Sequence, residues 1–150
     1  VYKVNRENEP YLPLKAYKNM NAYKLFVLDV GLLGAMSELP AESILEGNDI
    51  FVEFKGALTE QFVLQQLISD TPYTPYYYGN EKATFEQDFL IQKAKSIVPI
   101  EVKAEQNIRS HSLKTYCEKF QPEEAVRFST LKYKEQERMV NIPLYAVCNL

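Results

Sequence analysis

Apolar and polar residues follow two different periods along this chain, and the change between them marks out its elements. From residue 53 to 69 the period is helical. Phe54, Ala57, Leu58, Leu64 and Ile68 fall on one side at about 100° per residue, with Lys55, Thr59 and Gln66 on the other. Asp70-Thr71-Pro72 ends that helix. Three strand-like segments follow at 76–78, 85–91 and 97–104, the last two joined by a polar turn at 92–96. A helix is expected over 112–120, with Ser110 or Ser112 as its cap. Two further strands, 125–130 and 142–147, flank a charged stretch at 132–138. From residue 53 onward the order is therefore α-β-β-β-α-β, with one extra strand at the end.

The upstream part is less regular. Residues 1–23 are polar, and Pro10 and Pro13 mark irregular structure, although Val1-Tyr2-Lys3-Val4 is strand-like. A short apolar strand at 24–29 leads through Val30-Gly31 to a short helix at 32–37. Pro40 suits the first turn of a second one at 41–46, and Gly47-Asn48-Asp49 breaks the chain again.

This order gives meaning to a set of charged residues. Asp88 and Glu101 lie on consecutive strands, and a hairpin symmetric about Ala94 and Lys95 sets them directly opposite each other. Opposed like charges weaken a sheet, and a hard divalent cation such as Mg²⁺ removes the conflict by taking both carboxylates. Lys103 shares the Glu101 face by alternation, and the same register sets it opposite Glu86. There an ammonium helps stabilise an attacking hydroxide or the charge that builds on a phosphate. Glu60 sits at the edge of the helical apolar face, where a carboxylate needs a partner or a cation, and is the candidate auxiliary ligand. A half-exposed strand with outward charges, such as Phe85-Glu86-Gln87-Asp88-Phe89, explains the same residues without any cation.

The helix Glu60, the strand Asp88 and the Glu101-Val102-Lys103 tripeptide resemble the PD-(D/E)xK nuclease superfamily, although Gln87 stands where its motif has Pro. The longer text is similar to an uncharacterised prokaryotic domain. It comprises Lys24-x(4)-Asp29-x-Gly31-Leu32-Leu33, Lys55-Gly56-Ala57-Leu58-x-Glu60-x-Phe62-Val63, residues 85–91 and Ile100-Glu101-Val102-Lys103. That domain usually forms the C-terminal part of AAA-type ATPases, after a P-loop module and a winged helix. The resemblance spans about residues 20 to 147, and it implies that residues 1–20 are a linker or the tail of a preceding winged-helix region and 21–150 the nuclease-like domain. It implies a restriction-endonuclease-like α/β fold, a mixed central sheet flanked by helices, and a nucleic-acid role. Asp88 and Glu101 would be metal ligands with Glu60 auxiliary, Lys103 the electrostatic group, Mg²⁺ the cation, and an ATPase module of the same parent chain the partner. The alternative is an inactive interaction or regulatory module of that ATPase. No G-x-x-x-x-G-K-[ST] occurs, so ATP is expected only in a preceding region. A start at Val1 without an initiator Met likewise leads us to expect a fragment of a longer protein.

Composition narrows these readings. The chain has 150 residues, 46% hydrophobic and 25% charged, as an ordinary globular domain does. Its net charge of −3 counts against strong non-specific DNA binding. Residues 92–119 run the other way, with six Lys or Arg against three Glu, and Lys93, Lys95, Arg109, Lys114 and Lys119 are candidate phosphate contacts. Tyr73, Tyr76, Tyr77 and Tyr78 suit either base stacking or core packing, the latter being the commoner use of such a run. The sole histidine, His111, has no Cys or His partner in the sequence nearby and is expected to be solvated at a helix start. Cys117 and Cys148 show no paired spacing, so neither zinc nor a disulfide framework is expected, and the cytoplasm is the default compartment. No apolar run is long enough to span a bilayer.

Overall fold

The computed structural model describes residues 1–79, 85–105 and 111–150. The long helix α4 (Asp49–Asp70) precedes three strands, β3 (Tyr76–Gly79), β4 (Glu86–Lys93) and β5 (Ser96–Lys103). Helix α5 (His111–Phe120) and β6 (Ala125–Ser129) follow, so the α-β-β-β-α-β order is present as the periodicity implied. Before them come β1 (Tyr2–Glu7), α1 (Leu14–Tyr17), β2 (Lys18–Phe26), α2 (Val30–Met36) and α3 (Ala41–Glu46). After them come β7 (Lys134–Gln136), β8 (Met139–Pro143) and a 3₁₀ segment, Leu144–Asn149. All eight strands form one mixed sheet in the order β2-β1-β3-β4-β5-β6-β8-β7.

Three departures from the sequence reading have plain causes. Residues 2–7 are not a lead-in: β1 lies inside the sheet, antiparallel to β2 and parallel to β3. Its Val4 is buried in the main core, which the polar residues around it conceal in the sequence. The charged stretch at 132–138 contains β7, an edge strand whose three residues are all exposed, which is why it carries no apolar signal. The strand expected at 142–147 starts earlier, at Met139, and turns into the 3₁₀ segment after Pro143.

Helix α4 also starts earlier than its apolar pattern. Asn48 caps it by accepting the Phe51 N–H at 3.3 Å, directly after Gly47 ends α3 in a left-handed conformation (φ 64°). Its buried residues are Gln61, Val63, Leu64 and Leu67, all in the second half, whereas Ala57 is exposed. Val63, Leu64 and Leu67 pack on Phe89, Ile91, Ile100, Val126 and Phe128 from one face of the sheet. On the other face Tyr116 of α5 joins Leu14, Tyr76, Tyr78 and Leu90. The Tyr78 and Tyr116 rings meet edge to face at 5.5 Å. Tyr76–Tyr78 are thus core residues, with Tyr77 on the α4 side and its two neighbours on the α5 side.

Ser110 and Arg109 lie outside the described residues. His111 is exposed at the start of α5, with its Nδ1 3.3 Å from Thr115 Oγ1. Cys117 and Cys148 are free thiols. Among the described residues no helix is long and apolar enough to cross a membrane.

Candidate functional site at the open end of the β4–β5 hairpin

The hairpin register is the one that symmetry about Ala94 and Lys95 requires. Phe89 pairs with Ile100, Leu90 with Pro99, and so on to Lys93 with Ser96. A left-handed backbone at Ala94 (φ 53°) closes the two-residue turn. Beyond Phe89 and Ile100 the β4–β5 pairing stops, while on its other edge β5 runs on parallel to β6, from Ile100↔Val126 to Lys103↔Ser129. Side chains then take the place of the missing backbone partners. Asp88 Oδ2 accepts the Val102 N–H at 2.7 Å, and Gln87 Nε2 donates to the Ile100 carbonyl at 2.7 Å.

On its other side β4 carries a bulge. Tyr76 pairs with Leu90 but Tyr78 with Gln87, so one residue of β3, Tyr77, faces two of β4, Asp88 and Phe89. The alternation slips by one there. As a result the side chain beside Glu101 is that of Gln87, whose Nε2 lies 3.2 Å from Glu101 Oε2. Asp88 instead turns its carboxylate into the gap between the strands. Symmetry alone set Asp88 against Glu101; the bulge replaces that contact.

Glu101 is only 3% exposed. Its Oε1 holds the Lys103 ammonium at 2.7 Å, so these two share a face as alternation requires. The Glu86–Lys103 pair does not form: Glu86 is taken by Lys24 of β2, at 2.5 Å. Below Glu101 in register lie Arg127 of β6 and Asn141 of β8. Arg127 Nε donates to Asn141 Oδ1 at 3.0 Å, and Ser129 Oγ donates to the same oxygen at 2.7 Å. Burial lowers the affinity of the Arg127 guanidinium for its proton, and the charge of Glu101 partly restores it. This buried polar row gives the Glu101 carboxylate a fixed orientation and positive neighbours.

Glu60 of α4 accepts from Lys24 Nζ at 2.9 Å. Both it and Glu101 push the Asp88 carboxyl in the same direction. Burial is the largest cause, and together these raise Asp88 to about 7, against the Val102 hydrogen bond and Lys24, which lower it. Asp88 therefore lies within electrostatic reach of both Glu60 and Glu101, and each acid has a resident partner: Glu60 with Lys24, Asp88 with the Val102 N–H, and Glu101 with Lys103. Among the described residues no group of three or more His, Cys, Asp or Glu side chains stands ready-made to hold a metal ion. Sequence reasoning missed Gln87, Arg127 and the role of Lys24, because each acts through a partner on a distant segment.

Of the remaining cationic candidates, Lys93 pairs with Glu124 at 3.3 Å and Lys114 with Glu118 at 3.8 Å, while Lys119 donates to Tyr78 Oη at 2.9 Å. A cleft of about 330 Å³ opens beside Lys103, between Gly56 of α4 and Ala104. A larger apolar cavity of about 640 Å³ lies between α2, α3 and α4, walled by Phe51, Leu58, Phe62 and Leu144.

A family model described as a domain of unknown function, DUF4143, matches residues 55–147, which takes in Glu60, Asp88, Glu101 and Lys103. No curated protein and no solved structure matches the chain.

Proposed function

The chain belongs to the DUF4143 family, and from the geometry of its site we propose that it is a nuclease-like domain with a restriction-endonuclease-like core. In this reading it carries out Mg²⁺-dependent phosphodiester hydrolysis on nucleic acid, in the service of an AAA-type ATPase module of the same parent protein. The observation that carries the reading is Asp88, a carboxyl raised to about 7 by burial and by the charge of Glu101, at the open end of a hairpin. A buried carboxyl raised by its burial and by a neighbouring carboxylate is a group whose charge a hard divalent cation would offset. In this reading Asp88 and Glu101 would be the ligands and Glu60 an auxiliary one, each giving up the partner it holds now. Bound there, the cation would supply a water of lowered pKa and neutralise charge on the scissile phosphate.

The chain's own residues have separable parts in this. Gln87 holds the Glu101 carboxylate from one side and Lys103 from the other. Lys103, half-buried beside the small cleft, brings a positive charge to where a phosphate oxygen gains negative charge. The Val102 N–H holds one oxygen of the Asp88 carboxylate, Oδ2. The acidic net charge limits non-specific attraction to nucleic acid, which suits a domain whose substrate is delivered by the partner module.

The test is Mn²⁺ or Mg²⁺ binding by calorimetry together with cleavage of single-stranded, duplex and branched DNA. Metal-dependent cleavage that disappears in Asp88→Ala and in Lys103→Met supports the proposal. Absence of metal binding at millimolar concentration refutes it. A second reading, an interaction or regulatory module without turnover, draws on the fact that lysines already neutralise Glu60 and Glu101. It predicts no cleavage and an altered ATPase rate when the domain is removed from the parent protein.

A further inference from the structure

Helices α2 and α3 and the first half of α4 are rich in apolar residues yet bury almost none of them. Gly34 is the buried residue of α2 and Ser43 that of α3, and α4 buries nothing before Gln61. Leu32, Met36, Ile44, Leu45, Ile50 and Val52 are exposed instead, Met36 at 67% and Leu45 at 86%. Single exposed apolar residues are ordinary, but Ile44 and Ile50 each open onto a cleft. Ile44 lines the cavity of about 640 Å³ together with Phe51 and Leu58. Ile50 lines a second one, of about 580 Å³, with Leu39, Pro40 and Phe54. The first half of α4 contributes a wall to both.

Charge follows the same stretch. Residues 25–54 hold six acids, Asp29, Glu38, Glu42, Glu46, Asp49 and Glu53, and no Lys or Arg, so the rest of the chain carries +3. All but Asp29 are exposed, and among the described residues none of the six is in an ion pair. Lys55, just beyond the stretch, is taken by Glu105 at 3.3 Å. Glu38 and Glu53 both line the second cleft, beside Ile50 and Phe54. Such a surface repels the phosphates of nucleic acid and of anionic lipid. A symmetric dimer built on it would set the acids of one copy against those of the other. A partner that complements it brings apolar side chains and positive charge together. Grooves between helices take a helix, through residues at i, i+3 or i+4 and i+7.

We propose that the surface formed by α2, α3 and the first half of α4 is the docking site of a basic amphipathic helix on a partner protein. Apolar residues of that helix enter the two clefts, and a Lys or Arg beside them meets Glu38 and Glu53. Burial of the apolar residues holds the helix, while the acids set its orientation and make binding sensitive to salt. This is independent of the nuclease reading, because it uses none of Glu60, Asp88, Glu101 and Lys103.

The experiment is fluorescence anisotropy with labelled model peptides of about 18 residues, long enough for five helical turns. One is built of Leu and Lys with the leucines on a single helical stripe, one has the same composition scrambled, and one has the stripe with Glu in place of Lys. The striped Lys peptide is expected to bind in the micromolar range, and the other two at least about 10-fold more weakly. Ile44→Ser/Ile50→Ser removes an apolar wall from each cleft, and Glu38→Lys/Glu53→Lys reverses the charge at the second. Each is expected to weaken the striped Lys peptide by about 10-fold or more. Glu118→Lys/Glu123→Lys makes the same charge change on exposed residues at and after α5, across the sheet, and is expected to leave binding within about 3-fold of wild type. All variants are first shown to be folded by circular dichroism and thermal melting; if Ile44→Ser/Ile50→Ser is not, the two charge reversals decide. No binding at hundreds of micromolar, equal binding of the scrambled peptide, or equal loss in both charge reversals overturns the proposal. Self-association of the chain that Ile44→Ser/Ile50→Ser abolishes also overturns it, by making a second copy the occupant. Binding to phosphatidylcholine vesicles lost in the same variant does so in favour of a membrane.

Discussion

Glu7 is the buried group with the clearest measurable consequence. It lies on the α5 side of the sheet, fully buried, and neither carboxylate oxygen has a hydrogen-bond partner. Across the strands its register neighbours are Lys18 of β2 and Tyr78 of β3, and the fields of Tyr76 and of Tyr116 from α5 also meet it. Burial raises its carboxyl from 4.5 to about 7, with Lys18 opposing. The native form therefore holds its proton more tightly than the unfolded chain. The stability this group contributes is complete below about pH 4.5 and is lost as pH rises to about 7, beyond which the loss is constant. Integrated over that window, at about 1.4 kcal/mol for each tenfold change in proton affinity, the loss is roughly 3 kcal/mol. Glu7→Gln has nearly the same shape as the protonated acid and no such ionisation. The two proteins should be nearly equal in stability at pH 4, and the variant should be ahead by roughly 2–3 kcal/mol at pH 8. Urea unfolding followed by circular dichroism at a series of pH values reads this as a midpoint difference growing to about 1 M, for a slope near 2 kcal/mol/M. Asp88 also titrates in this range but is common to both proteins and cancels in the difference. A difference that is flat with pH, or a variant less stable at pH 8, would refute the assignment of a buried, unpaired carboxyl.

Three further outcomes follow from the same structure. Asp88→Asn keeps an acceptor for the Val102 N–H and removes a carboxyl raised to about 7, so it should be more stable than wild type at pH 8, whereas Asp88→Ala orphans that N–H and should cost about 1–3 kcal/mol relative to Asn, read by thermal melting. Gln61→Leu should destabilise by about 1–3 kcal/mol in urea unfolding, because Gln61 both accepts from the Val27 N–H at 3.1 Å and donates to the Val27 carbonyl at 3.0 Å. Leu64→Ala, at a fully buried contact between α4 and the sheet, should cost about 2–5 kcal/mol, whereas Ala57→Ser on the exposed half of the same helix should change stability by less than about 0.5 kcal/mol.

Local features were the legible ones. The 3.6-residue period located the body of α4 from residue 53 on, whereas Gly47-Asn48, read only as a break, proved to be the end of α3 and the cap of α4. The β4–β5 register was readable too, since a two-residue turn leaves a hairpin only one symmetric pairing. Alternation along β5 correctly joined Glu101 to Lys103. What misled was any inference that assumed alternation to continue through Asp88. The bulge there is imposed by pairing with β3, whose residues lie about ten positions earlier and whose own signal is three tyrosines.

The order of elements, the hairpin and the identity of the charged residues thus belong to the sequence, because they depend on chain periodicity and on turns a few residues long. Which charges meet belongs to the tertiary structure. Lys24 reaches Glu60 across 36 positions and takes Glu86 from Lys103, while Gln87 displaces Asp88 beside Glu101. Coulomb energy and burial depend on distance in space, and here a single inserted residue in β4 and one strand packed far from its place in the chain set those distances.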